Sequence, residues 1–306
     1  MDRKVRYLPS AKSLALLTCL VFSFSAVMQT AAETIHRERS IYRDITVVQN
    51  GNRRCLVFNV HRGDRNQTCV EMNDRDRLVF SYTRMSFAGL LLQPQPKTIL
   101  VAGLGGGSIP MTLNNLFPEA EIDVVEIDQA VVNVAKEFFF FEENDNMKVT
   151  VSDARVFIKR AALRGRKYDY IVLDAFGGDY IPEHLLTREF LSEVRTIMAA
   201  DGVLVANTFS TSRFYDHESV TYQHVFNEFF NFKLPSSGNR IIITQLSSLP
   251  PRGELVTRAQ NAADRLKRYG VPLLEYPARL STRIDCDMSR RVLTDQYSPA
   301  NLLRDN

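Results

Sequence analysis

Residues 98–108, TILVAGLGGGS, followed by VVEID at 124–128, constrain the fold more than any other feature of this chain. The order reads as a buried β-strand, a glycine turn opening a helix, and a second strand ending in a carboxylate. Such a unit places a nucleotide or nucleoside pocket at the carboxyl edge of a parallel sheet. Gly103, Gly105, Gly106 and Gly107 let the backbone turn sharply and keep side chains away from the helix start, where a ligand would lie. Glu126 stands 23 residues beyond Gly103, the spacing at which an acid reaches a ribose diol.

The rest of the chain continues this pattern. Strands are expected at 98–103, 121–127, 147–152, 168–174, 202–208 and 239–246. Helices are expected near 107–116, 128–139, 154–163, 183–199 and 217–229. This alternation predicts an α/β fold, a doubly wound Rossmann-like sheet of the class I methyltransferase type. Residues 36–78 alternate as β-strands instead, with Asn50-Gly51 as a hairpin turn. They predict a small N-terminal β-rich module, joined to the sheet by a helix over about 78–92. The expected organisation is a leader at 1–32, the β-rich module with its linking helix at 36–90, the Rossmann-like domain at 91–250, and a C-terminal helix with an extended tail at 251–306. That tail contains the segment LTDQYSP at 293–299.

The leader has the features of a secretory signal or an outward-facing N-terminal anchor. Arg3, Lys4, Arg6 and Lys12 precede an apolar run from Leu14 to Met28, and small residues Thr30 and Ala32 follow. Both readings place the folded part in the periplasm or outside the cell, with membrane attachment only if the segment stays uncleaved. The net charge of +3 resides in this leader: residues 33–306 carry 34 basic and 34 acidic side chains. A neutral body gives no electrostatic footprint for nucleic acid. Cys55 and Cys69 fall in two adjacent strand-like runs, where they either bridge a hairpin or remain buried thiols. The five histidines are scattered without metal-ligand spacing, so no metal is expected.

Polar residues recur at the strand ends of the core. Glu126 can accept both ribose hydroxyls. Asp153, before Ala154 and the following helix, is either an adenine contact or an N-cap. Asp174 closes the strand YIVLD, and Asp179 follows two glycines later in the same loop.

These residues resemble the spermidine synthase, or polyamine aminopropyltransferase, family, in its divergent bacterial branch. The likeness runs from about Ser40 to Leu246. The family's tyrosine–glutamine motif is similar to Tyr42-Arg43, its YHEM motif to the segment from Tyr82 to Met85, and its GGGDGG loop to the segment from Gly103 to Ser108. Glu126 and Asp153 match its ribose and adenine acids, and the segment from Asp174 to Asp179 resembles its catalytic DSSDP loop. The resemblance implies aminopropyl transfer from decarboxylated S-adenosylmethionine to an amine, putrescine or an altered acceptor. Asp174 would be the base, with Tyr82 and Asp179 holding the amine. It leaves open a homodimer, ordinary S-adenosylmethionine as co-substrate in a methyltransferase, and an exported nucleoside-binding protein without catalysis.

Three replacements and one spacing depart from the family pattern. Arg84 replaces the YHEM glutamate, Arg43 the glutamine, and Gly106 the loop aspartate, while the two acids of the catalytic loop stand five apart rather than three. An inward Arg84 would repel a polyamine.

Overall fold

The computed structural model describes residues 1–2, 32–60, 63–176 and 180–298. The predicted leader and Asp179 lie outside the described residues. The first described sheet is the β-rich module, four antiparallel strands in sequential order. They are β1 (Glu33–Arg39), β2 (Asp44–Asn50), β3 (Arg53–Val60) and β4 (Gly63–Glu71). Gly51 takes a φ of 54° in the tight turn between β2 and β3, as Asn-Gly hairpins require. Cys55 of β3 faces Cys69 of β4 in register, and the two are joined as a disulfide. The thiol alternative is thereby closed.

The linking segment is shorter and more broken than a helix over 78–92. It comprises α1 (Ser81–Ser86) and a 3-10 turn, Phe87–Leu91. Gly89 lies so close to the Tyr170 ring and to Val205 that any Cβ there would collide with them, at 2.4 Å from a Val205 methyl carbon. Close approach to the sheet, not helical periodicity, sets the backbone at this point.

The core sheet contains, in chain order, β5 (Thr98–Ala102), β6 (Glu121–Glu126), β7 (Met147–Val151), β8 (Tyr168–Leu173), β9 (Met198–Phe209), β10 (Phe230–Lys233), β11 (Asn239–Gln245) and β12 (Leu280–Ser281). Their spatial order is β12-β10-β11-β9-β8-β5-β6-β7. β7, β6, β5, β8 and β9 run parallel, whereas β11, β10 and β12 continue antiparallel. β10 and β12 fall outside the six strands expected from sequence; they are short pieces added at the sheet edge. Helices α2 (Ser108–Leu116), α3 (Gln129–Phe138), α4 (Ala154–Leu163), α5 (Arg188–Ile197), α6 (Tyr215–Phe226) and α7 (Arg252–Lys267) complete the layers. The expected helix 183–199 is divided in two: a 3-10 turn covers Glu183–Leu185, and Thr187 then caps α5 through its side chain.

Apolar residues on successive positions of the parallel strands point to opposite faces, so the core is double. Ile99, Val101, Val124 and Val172 pack on one face, and Leu100, Ala102, Val125 and Ile171 on the other. A third apolar cluster joins the β-rich module to α3: Ile45, Val47, Leu56, Phe58 and Val70 meet Ala130, Val131 and Val134. That contact fixes the module over the sheet. β5 lies between β6 and β8, so chain connections leave it in opposite directions. The crevice beyond its carboxyl end is the place where open α/β sheets bind ligands.

Candidate active site

A cavity of about 190 Å³ opens at this crevice. Its floor is the glycine loop. Gly103 at φ 103° and Gly105 at φ 54° adopt backbone conformations that a side chain disfavours. A Cβ on Gly103 would also stand 2.3 Å from the Asp174 carbonyl oxygen. Gly106 and Gly107 act differently from Gly103 and Gly105: they do not line this cavity. The Gly106 amide donates to Thr68 Oγ1 (3.1 Å), which locks the loop onto β4. Gly107, at φ 83°, precedes α2 and leaves no room for a Cβ against Phe141.

Glu126 is 7% exposed at the end of β6. Its carboxylate accepts from the Leu104 amide (3.1 Å) and the Asp128 amide (3.1 Å). Burial raises its pKa; the two amides and Arg43 oppose that rise. One amide lies on each carboxylate oxygen, so the head is oriented and retains lone pairs toward the cavity. Asp153 caps α4 by accepting from the Val156 amide (3.0 Å), and its other oxygen meets His184 Nε2 at 2.8 Å. It is thus an N-cap that also lines the cavity, together with Ala154.

Asp174 follows β8, half-buried, with its amide donating to the Ala102 carbonyl (2.7 Å). Asn207 Nδ2 donates to its Oδ1 (2.7 Å), while Asn239 Nδ2 donates to Asn207 Oδ1 (3.0 Å) and so turns the Asn207 amide toward the acid. Burial pushes the Asp174 carboxyl up to about 7, the Asn207 hydrogen bond opposes that rise, and the nearby Glu126 charge adds to it. Tyr82 lines the same cavity and donates its hydroxyl to the Gln67 carbonyl (2.9 Å). Burial and the charge of Asp174 hold its phenol well above the ordinary value, so it stays protonated.

The two arginines that depart from the family pattern behave oppositely. Arg84 turns away from the cavity: its guanidinium donates to the Leu78 and Val79 carbonyls (2.7 and 3.0 Å). The repulsion expected of an inward Arg84 is absent because the end of the preceding loop supplies backbone acceptors for it. Arg43 does line the cavity. It stacks over Phe58 at 4.5 Å, donates to the Phe176 carbonyl (3.2 Å) and stands 3.7 Å from Asp128.

The structure therefore brings together Gly103, Gly105, Glu126, Asp153, Ala154, Asp174 and Tyr82. Sequence reasoning missed Asn207, although it stands near the carboxyl end of β9, where the rule that picked the acids also points. It missed His184 and Thr68, for which the sequence carries no signal; both reach the cavity only through tertiary packing.

The spermine/spermidine synthase domain model matches residues 79–236. A polyamine aminopropyltransferase of Vibrio vulnificus (strain CMCP6) is 49% identical over 95% of this chain and 97% of its own length. Among solved structures, a probable spermidine synthase of Corynebacterium glutamicum ATCC 13032 superposes with a TM-score of 0.63. It is 18% identical and covers 84% of this chain and 98% of that one. Human methyltransferase-like protein 13, solved in complex with SAH, gives a TM-score of 0.57 at 28% identity, covering 62% of this chain and 93% of that one. A domain match over half the chain and a near full-length relative at this identity lead to one assignment: the chain belongs to the spermine/spermidine synthase family.

Proposed function

We propose that this protein transfers an aminopropyl group from decarboxylated S-adenosylmethionine to an amine. The observation that carries this reading is Asp174: a carboxyl in the cavity beside Tyr82, its pKa raised to about 7 by burial, within the field of the nucleoside-side acid Glu126. An ordinary carboxylate is too weak a base to take a proton from an alkylammonium, and a raised one is better matched to neutral pH.

In the reaction, the amine nitrogen forms a bond to the methylene carbon beside the sulfonium. The carbon–sulfur bond breaks, and its electron pair stays on sulfur as methylthioadenosine leaves. The proton shed by the nitrogen goes to Asp174. Glu126 accepts the ribose hydroxyls, Asp153 accepts from the adenine amino group, and Gly103, Gly105 and Ala154 supply close backbone. Tyr82 orients the amine through its hydroxyl, and Asp179, which lies outside the described residues, is assigned a second anionic contact from the family resemblance alone. Most of the rate comes from holding nitrogen and sulfonium in line.

A second reading, methyl transfer from ordinary S-adenosylmethionine, draws on Arg43: a cation in the cavity suits the carboxylate that the decarboxylated donor lacks. Incubation with each donor and a panel of amines, followed by chromatography for methylthioadenosine, separates the readings. Methylthioadenosine from the decarboxylated donor and putrescine or another amine is expected. Asp174→Asn should cut that rate by roughly 10²–10⁴-fold while product binding survives. Nucleoside binding without turnover of either donor would leave a binding protein instead.

Export of the folded part is also our proposal. It is supported by the basic and apolar leader and by a disulfide between Cys55 and Cys69, a bond favoured in oxidising compartments. No helix of the described residues is long and apolar enough to cross a membrane.

A further inference from the structure

A second cavity, of about 170 Å³, lies behind the glycine loop and is nearly as large as the first. Gly106 and Ser108 form part of its wall, and Ser108 lines both cavities. Arg75 and Arg77 stand on its rim, both exposed. Neither has a carboxylate within ion-pair distance among the described residues, since the adjacent acid Asp76 is engaged by Arg268. Arg75 lies 3.6 Å over the ring of Phe140, which also lines the cavity. Phe140 has a φ of 62°, a left-handed conformation unusual for an aromatic residue. Such an outlier persists only where the surrounding structure imposes it.

A third cation is close. Arg54 donates to the Phe138 carbonyl (2.9 Å) and has no ion pair among the described residues. Burial, and next the charge of Arg75, lower its pKa, so the two cations lie within each other's field. The one acid among the described residues of the cavity wall, Asp76, is paired with Arg268. The rim also offers Asn115, a neutral donor and acceptor. Guanidinium forks match oxyanions bidentately, so repulsion among these arginines is relieved by a multiply charged oxyanion rather than by chloride.

We propose that this cavity is a binding site for a small, multiply charged oxyanion such as a phosphate ester, separate from the catalytic cleft and held by Arg75 and Arg77. Titration calorimetry of the full chain with inorganic pyrophosphate tests it, with and without saturating methylthioadenosine. Saturable binding is expected, and it should persist when methylthioadenosine is present. Arg75→Gln and Arg77→Gln should each weaken it by at least about tenfold, the worth of one charge-assisted hydrogen bond. Both side chains are exposed, so an unchanged thermal midpoint will show that the variants fold. Absence of saturable binding to the wild type overturns the proposal, as does binding that survives both substitutions. Displacement of pyrophosphate by methylthioadenosine overturns it too, because the anion would then occupy the catalytic cleft. The substitution arm reads out whether or not the nucleoside binds.

Discussion

Asp174 and Asn207 form the pair whose chemistry is easiest to interrogate. The Asn207 amide stabilises the charged form of the acid, so its loss must raise the pKa further. In Asn207→Leu the acid limb of kcat/KM against pH should move to higher pH by about one to two units, the equivalent of a hydrogen bond to a charged group. A limb left near 7 would show that another group is the base. The same raised pKa costs stability, and the sign is fixed. Below about pH 4 the acid is protonated both folded and unfolded, and no penalty exists. As pH rises toward 7 only the unfolded chain ionises freely, so the penalty grows and is complete above 7. Asp174→Asn should therefore gain thermal midpoint relative to wild type between pH 5 and pH 8. Glu126→Ala removes the partner of two ribose hydroxyls and should weaken methylthioadenosine binding by at least about tenfold in calorimetry.

Among the elements, the C-terminal strap shows what sequence reading leaves out. Segment 293–297 was visible as a distinctive string but without a task. In the structure, Leu293 is buried and its amide donates to Thr221 Oγ1 on α6 (3.0 Å). Asp295 receives two hydrogen bonds from Arg155 of α4 (2.7 Å each) and one from Thr187 (2.8 Å). Arg155 binds Glu193 of α5 as well. These partners lie 140 and 38 residues from Arg155, and no periodicity connects them. The parallel strands, by contrast, were legible because each is a short apolar run ended by a polar residue. The acids of the site were legible because they occupy those ends. Helix boundaries at Gly89 and Thr187 were not, because side-chain packing and capping decide them. Its partners hold the Asp295 carboxyl down at about 2, so the strap contributes stability above the ordinary carboxylate value and loses it as pH falls toward 2. Asp295 is partly exposed, and solvent screening limits the effect. Asp295→Ala should cost about 1 kcal/mol in denaturant unfolding at pH 7, and less at pH 2.

At the scale of the whole molecule, charge and architecture divide the labour. The neutral body has no bulk field with which to attract a polyamine, so acceptor selection must come from local acids in the cleft. Export is open to a direct test: residues 1–40 fused to a phosphatase that is active only outside the cytosol should yield an active reporter. An inactive reporter made in normal amounts would refute export.

The Cys55–Cys69 cross-link adds a practical consequence at the bench. Cys69 adjoins Thr68, whose hydroxyl receives the Gly106 amide and fixes the glycine loop. The choice of buffer additive is thus part of the assay. Where thiol reductant opens the cross-link the hairpin is unlinked, and the protein's grip on methylthioadenosine should then be weaker than that of protein kept without reductant. Binding titrations on the two preparations, with a Cys55→Ser/Cys69→Ser double variant as the reductant-insensitive control, would measure that difference.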